Sequence, residues 1–125
     1  RAWMAAGLST APGAHDVLTG LMAKQLGFKA LYISGAAFSA SRGMPDIGYF
    51  TVTELADYVR GLYQATNLPI LVDVDTGWGG AFNIARTVRS MIKAGAGAMH
   101  IEDQVAAKRC GHRGRNARQR YRRSA

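Results

Sequence analysis

Four short apolar runs divide this sequence, and helix-compatible stretches separate most of them. The runs are residues 8–12, 30–33 (ALYI), 69–74 (PILVDV) and 98–101 (AMHI). Each is too short for an ordinary helix and reads as a strand. Residues 14–26 place Val17, Leu18, Leu21, Met22 and Leu26 at helical spacing, with Gly27 as a stop. Thr53 is a candidate N-cap for a second helix carrying Leu55, Ala56, Val59, Leu62 and Tyr63. Residues 81–94 form a third, with Ile84, Ala85, Val88, Met91 and Ile92 on one face. Residues 34–50 read as a Gly/Ser-rich loop. The order β-α-β-α-β-α-β predicts a parallel sheet with right-handed crossovers. Met22, Met91 and Met99 are expected in the core, and His100, inside the last run, as a satisfied core histidine.

The chain has 125 residues, enough for one domain. That is about half of the ~250 residues of a (β/α)8 barrel. No apolar run approaches the ~18 residues of a membrane span. No signal-peptide core follows the first residues, so a cytoplasmic setting is expected. Cys110 is the single cysteine, which excludes an internal disulfide framework. The net charge of +8 belongs to the end of the chain. Residues 1–107 hold eight bases and all eight acids, and residues 108–125 hold eight bases and no acid.

Polar residues cluster at the C-terminal ends of the predicted strands, where parallel α/β proteins place their chemistry. Ser34 follows the second strand, Asp73 and Asp75 end the third, and Glu102 and Asp103 end the fourth. Strand alternation puts Asp73 and Asp75 on one side. Two carboxylates this close repel unless a cation or a shared proton intervenes. With Glu102 as a third oxygen donor, the set suits Mg²⁺. The alternative is that these acids cap helices or pair with arginine. The Gly77-Trp78-Gly79-Gly80 turn fails the dinucleotide pattern, because position 82 is Phe. It is either a tight turn without a ligand role or a close approach to a metal-bound anion.

Lys108-Arg109-Cys110-Gly111-His112 sets a thiol among cationic neighbours, an environment that lowers a cysteine pKa. The stretch reads as an active-site loop. The basic end beyond it would bind phosphate backbones if displayed on a fold. The rest of the chain offers no basic groove, so no nucleic-acid partner is expected.

Several motifs together resemble the isocitrate lyase/phosphoenolpyruvate mutase superfamily. Asp73-Val74-Asp75-Thr76-Gly77-Trp78-Gly79 is similar to its metal-binding segment. His100-Ile101-Glu102-Asp103-Gln104 followed by Lys108-Arg109-Cys110-Gly111-His112 is similar to its lyase signature. Residues 81–88 and 90–96, with Tyr32-Ile33-Ser34-Gly35 and Met44-Pro45-Asp46-Ile47-Gly48, are most similar to the methylisocitrate lyases within it. The resemblance covers about residues 8–113. It implies an α/β fold that is the N-terminal half of a (β/α)8 TIM barrel, with about four parallel strands and three helices. It implies Mg²⁺ held by Asp73 directly and by Asp75 and Glu102 through water. It implies substrate contacts at Ser34, Gly35, Asp46, Gly111 and His112. Cys110 matches the catalytic thiol, with Lys108 and His112 beside it. The implied reaction splits 2-methylisocitrate into pyruvate and succinate in propionate breakdown. The implied partner is a small di- or tricarboxylate, and full-length members are expected to be homotetramers. Carboxyphosphonoenolpyruvate mutase and other 2-hydroxyacid lyases are the neighbouring activities.

Three departures matter. The family's Ser-Gly-Gly loop is Ser34-Gly35-Ala36 here. The family continues after Cys-Gly-His-Arg with Pro-Gly-Lys, whereas Arg113 is followed by Gly114-Arg115-Asn116. About four further βα units would then be missing. The division expected is a partial barrel over 1–113 and a basic, disordered tail over 114–125, read as an out-of-frame continuation. Such a chain is expected to turn over little substrate.

Overall fold

The computed structural model describes residues 10–104. Lys108, Cys110, Gly111, His112 and the 114–125 tail lie outside the described residues. The described chain is an α/β unit with seven elements in order. These are α1 (Val17–Gln25), β1 (Leu31–Ile33), α2 (Gly35–Ala40), α3 (Val52–Thr66), β2 (Ile70–Asp73), α4 (Ala81–Ala94) and β3 (Ala98–His100). The three strands are parallel, in the order β1-β2-β3. The first run is represented by one parallel bridge, Gly13 with Tyr32, just past the expected 8–12. Pro12 C=O accepts from Tyr32 N–H at 2.9 Å, and Ala14 N–H donates to Tyr32 C=O at 2.9 Å.

The register decides what each sheet face meets. Leu31, Ile33, Ile70 and Val72 are buried and join Leu55, Val59, Leu62 and Met91 in one core. The opposite face carries Tyr32, Leu71 and Ala98, aligned across the strands and open or half-open to solvent. Parallel sheets bury both faces. A one-sided parallel sheet is therefore what a segment of a closed barrel looks like, with its inward residues uncovered.

Helix α3 is the best specified. Leu55, Val59, Leu62 and Thr66 recur at intervals of four, three and four, and all are buried. Its N-cap is Thr51, two residues before the expected Thr53, because Thr51 completes a capping box with Glu54. Thr51 Oγ1 accepts from Glu54 N–H at 3.2 Å, and Glu54 Oε2 accepts from Thr51 N–H at 2.7 Å. The bond from Thr51 N–H, and a second from the Thr51 hydroxyl to Glu54 Oε2 at 2.8 Å, hold the Glu54 carboxyl below its usual range. A depressed carboxyl contributes stability above its unfolded pKa and loses it as pH falls through the folded value. The thermal midpoint should therefore sag below the usual carboxylate range, and Glu54→Gln should flatten part of that acid limb. Circular dichroism melts across pH 2–7 measure it. An identical acid limb in the variant would refute the assignment.

Elsewhere the apolar patterns mislead. Asp16 caps α1, its side chain accepting from Thr19 N–H at 2.6 Å. The helix buries Gly20 and Ala23, while Leu18, Leu21, Met22 and Leu26 face solvent. Met22 is thus not core (55% exposed), although Met91 is and Met99 packs against it. Gly20 is the reason: a Cβ there would lie 2.3 Å from Leu62 Cδ1. Helix α1 approaches α3 through its small residues. Ile92 of α4 is likewise exposed, and Thr87, Met91 and Ala94 are buried instead. A fourth helix, α2, forms inside the expected 34–50 loop because Ser34 caps it and Phe38 anchors it. Gly95 ends α4 at φ 98°, where a Cβ would lie 2.5 Å from the Tyr63 ring.

Candidate active site

The C-terminal ends of β1, β2 and β3 converge. Asp73 is the last residue of β2 and lies in register with His100 of β3. Asp75 has left the strand and sits at φ 46°, so a turn and not strand alternation brings it to Asp73. Its N–H donates to Asp73 Oδ1 at 3.0 Å. Glu102 N–H donates to Asp75 C=O at 2.7 Å, which draws the end of β3 in. Carboxylate oxygens of Asp73, Asp75 and Glu102 lie within 4.8 Å of one another. Asp73 and Asp75 are only 5% and 4% exposed.

Gly35 completes the cluster from β1. Its N–H donates to Asp73 Oδ2 at 3.1 Å. A Cβ at this position would fall 2.9 Å from Asp75 Oδ1 and 3.3 Å from Asp73 Oδ2. Only a glycine lets the backbone lie this close to both carboxylates. Ser34 beside it is the α2 N-cap, its Oγ accepting from Ala37 N–H at 3.4 Å.

Three clustered carboxylates repel one another, and burial raises that cost. A divalent cation offsets both, and an all-oxygen donor set of this kind suits a hard ion such as Mg²⁺. The donors fit. A cleft beside Glu102, lined by Thr76, Gly79, Ile84 and Ile101, leaves room on the solvent side.

Of the residues expected from sequence, Gly35, Asp73, Asp75 and Glu102 are brought together, and Ser34 precedes Gly35 as the α2 cap. Asp46 lies half-buried on the 41–51 segment and is not among the three clustered carboxylates. His100 is no core histidine. Its Nε2 is 3.1 Å from Tyr32 Oη and 3.9 Å from Asp73 Oδ1, and the two rings stack at 5.8 Å. Its position two residues before Glu102, at a strand end, was the available signal. No helix among the described residues is long and apolar enough to cross a membrane.

Comparison with known proteins agrees with this geometry. The sequence matches the family described as phosphoenolpyruvate phosphomutase over residues 4–123. It is 56% identical over 101 residues to a 2-methylisocitrate lyase of Halalkalibacterium halodurans, covering 81% of this chain and 34% of the relative. The chain thus spans about a third of the length of the curated relatives it matches. Its fold is similar to phosphoenolpyruvate phosphomutase from Streptomyces platensis subsp. rosaceus, with TM-score 0.81 and 36% identity, covering 85% of this chain and 37% of that one. It is also similar to a phosphonopyruvate hydrolase solved with oxalate and Mg²⁺, with TM-score 0.78 and 33% identity, covering 82% of this chain and 36% of that one. These neighbours are TIM-barrel proteins, and the one-sided sheet is the corresponding part of such a barrel. The chain belongs to the phosphoenolpyruvate mutase/isocitrate lyase superfamily, a family of enzymes.

Proposed function

We propose that the site serves Mg²⁺-dependent carbon–carbon cleavage of a 2-methylisocitrate-type substrate, giving pyruvate and succinate. The observation that carries this is the packing of Asp73, Asp75 and Glu102 against the Gly35 backbone at the ends of parallel strands. Asp73, Asp75 and Glu102 would hold the ion. When bound, it supplies positive charge for the oxygen charge that develops on the pyruvate half.

The chain's own residues do the rest. Gly35 N–H and Asp75 N–H fix both oxygens of Asp73 in place. Ser34 and Asp46 stand at substrate-side positions. The substrate hydroxyl passes its proton to water, its oxygen becomes the pyruvate carbonyl as the adjacent carbon–carbon bond breaks, and the electron pair of that bond stays on the succinate half. Cys110 gives that half its proton, with Lys108 and His112 as neighbours of Cys110 in the sequence. Gly111 and His112 contact substrate. The proposed setting is cytoplasmic, and the whole enzyme is proposed to be a homotetramer.

A second reading is favoured by the structural likeness to a phosphomutase. In it the same carboxylates and ion serve carbon–phosphorus chemistry on a phosphonate.

A substrate panel separates the two. The chain is joined to the remaining two thirds of the Halalkalibacterium lyase. Pyruvate release from 2-methylisocitrate, abolished by EDTA, is the expected result. The 125-residue chain alone is expected to release little or none. Turnover of phosphonopyruvate but not of 2-methylisocitrate would replace the first reading with the second.

A further inference from the structure

Two non-glycine residues just after β2 hold left-handed backbone, Asp75 at φ 46° and Trp78 at φ 60°. For a bulky residue this is an outlier. It persists only where the surroundings over-determine it. At Trp78 those surroundings are visible. The indole Nε1–H donates to Phe50 C=O at 2.9 Å. The ring meets Phe50 edge-on, with centroids 5.6 Å apart. Phe50 is buried and meets Phe38 at 4.9 Å. Phe38 belongs to α2, whose first residue, Gly35, binds Asp73. Phe50 also closes the segment that carries Asp46. The same turn is tied separately to α4, since Thr87 Oγ1 donates to Gly77 C=O at 3.1 Å.

We propose that Trp78 is a positioning residue for the carboxylate site. Its hydrogen-bonded indole clasps the 75–80 turn to Phe50, and so holds Asp75 against Asp73 and Gly35. This rests on the reading of Asp75 as a metal-side carboxylate. A glycine would adopt the same backbone without strain, so the turn alone does not call for tryptophan. Packing alone does not call for an N–H donor, since a phenylalanine ring would also cover Phe50. The pairing of donor and ring at one strained position fits a clasp between two site segments.

The test uses Mn²⁺ as a spectroscopic probe of the 125-residue chain, with free ion followed by EPR. Trp78→Gly should weaken Mn²⁺ binding about tenfold, in the range of losses for residues that orient metal ligands. Trp78→Phe should retain part of the affinity through the remaining ring contact. Asp75→Asn should remove binding. Wild-type affinity in Trp78→Gly would overturn the clasp while leaving the metal reading intact. Binding that is absent in the unmodified chain, or unchanged in Asp75→Asn, would overturn both.

A second measurement needs no disruptive variant. Trp3 and Trp78 are the two tryptophans, so Trp3→Phe leaves Trp78 as the sole indole. Its emission should shift on titration with Mg²⁺ and saturate, and should not shift when Asp75→Asn is added. Emission indifferent to the ion would overturn the proposal.

Discussion

Gly35→Ala should cost the chain its divalent-ion affinity and leave its stability intact. The added methyl would sit 2.9 Å from Asp75 Oδ1, closer than a Cβ tolerates, and a tight 3.3 Å from Asp73 Oδ2. The third neighbour, Phe50 Cζ at 3.4 Å, is in tolerable contact. The carboxylates are the atoms that must move, and they are the proposed ligands. Gly35 is the first residue of α2, and alanine favours a helix over glycine by up to ~1 kcal/mol. Backbone preference therefore works in the fold's favour while the contact works against the site. Ion affinity should fall by about 10–100-fold, as for other residues that orient metal ligands. Calorimetric titration with Mg²⁺ and a thermal melt of the same sample separate the two effects. Unchanged affinity would show that the carboxylates do not hold the ion in this arrangement.

Phe38→Ala should be strongly destabilising. Phe38 is fully buried and touches three partners at once. It meets Phe50 at 4.9 Å and Tyr58 at 5.0 Å, and the Arg42 guanidinium lies 3.7 Å above its ring. Tyr58 cannot follow the ring inward, since its hydroxyl is committed to Ala14 C=O at 2.8 Å. Burial, with Asp16 nearby, pushes the Tyr58 hydroxyl up to about 12, so it stays neutral and keeps that bond. The cavity should thus collapse poorly, and the cost should lie near ~3–5 kcal/mol. That is a large share of the ~5–15 kcal/mol that holds an ordinary domain together. Urea unfolding measures it as a fall in midpoint at constant slope. Phe82→Ala is the control, because Phe82 is 93% exposed and should change stability by less than ~0.5 kcal/mol. Equal shifts in the two variants would show that Phe38 is not the anchor of α2.

The local choices in this chain were legible where neighbours along the chain decide them. Strands β1 to β3 and helices α3 and α4 follow from short apolar runs and 3.6-residue spacing. The carboxylate set was also legible, because parallel strands end their chemistry at one edge. What failed depended on partners distant in sequence. Met22 matches a helical stripe yet faces solvent, because Gly20 sets where α1 meets α3; Ile92 is exposed too, while Thr87, Met91 and Ala94 are the buried residues of α4. His100 reads as core until the register puts it beside Asp73.

By itself, then, the sequence determined the β-α alternation, the acids that end the strands and the family. The tertiary structure decided three other things. A left-handed turn, not strand pleating, brings Asp75 to Asp73. Gly35 is required for close approach, because a Cβ would collide with Asp75 and crowd Asp73. Trp78 reaches Phe50, 28 residues away in the chain, to hold that turn. The physical reason is common to all three. Pattern and propensity report forces between near neighbours, whereas the placing of buried charge depends on contacts that only the assembled sheet and helices create.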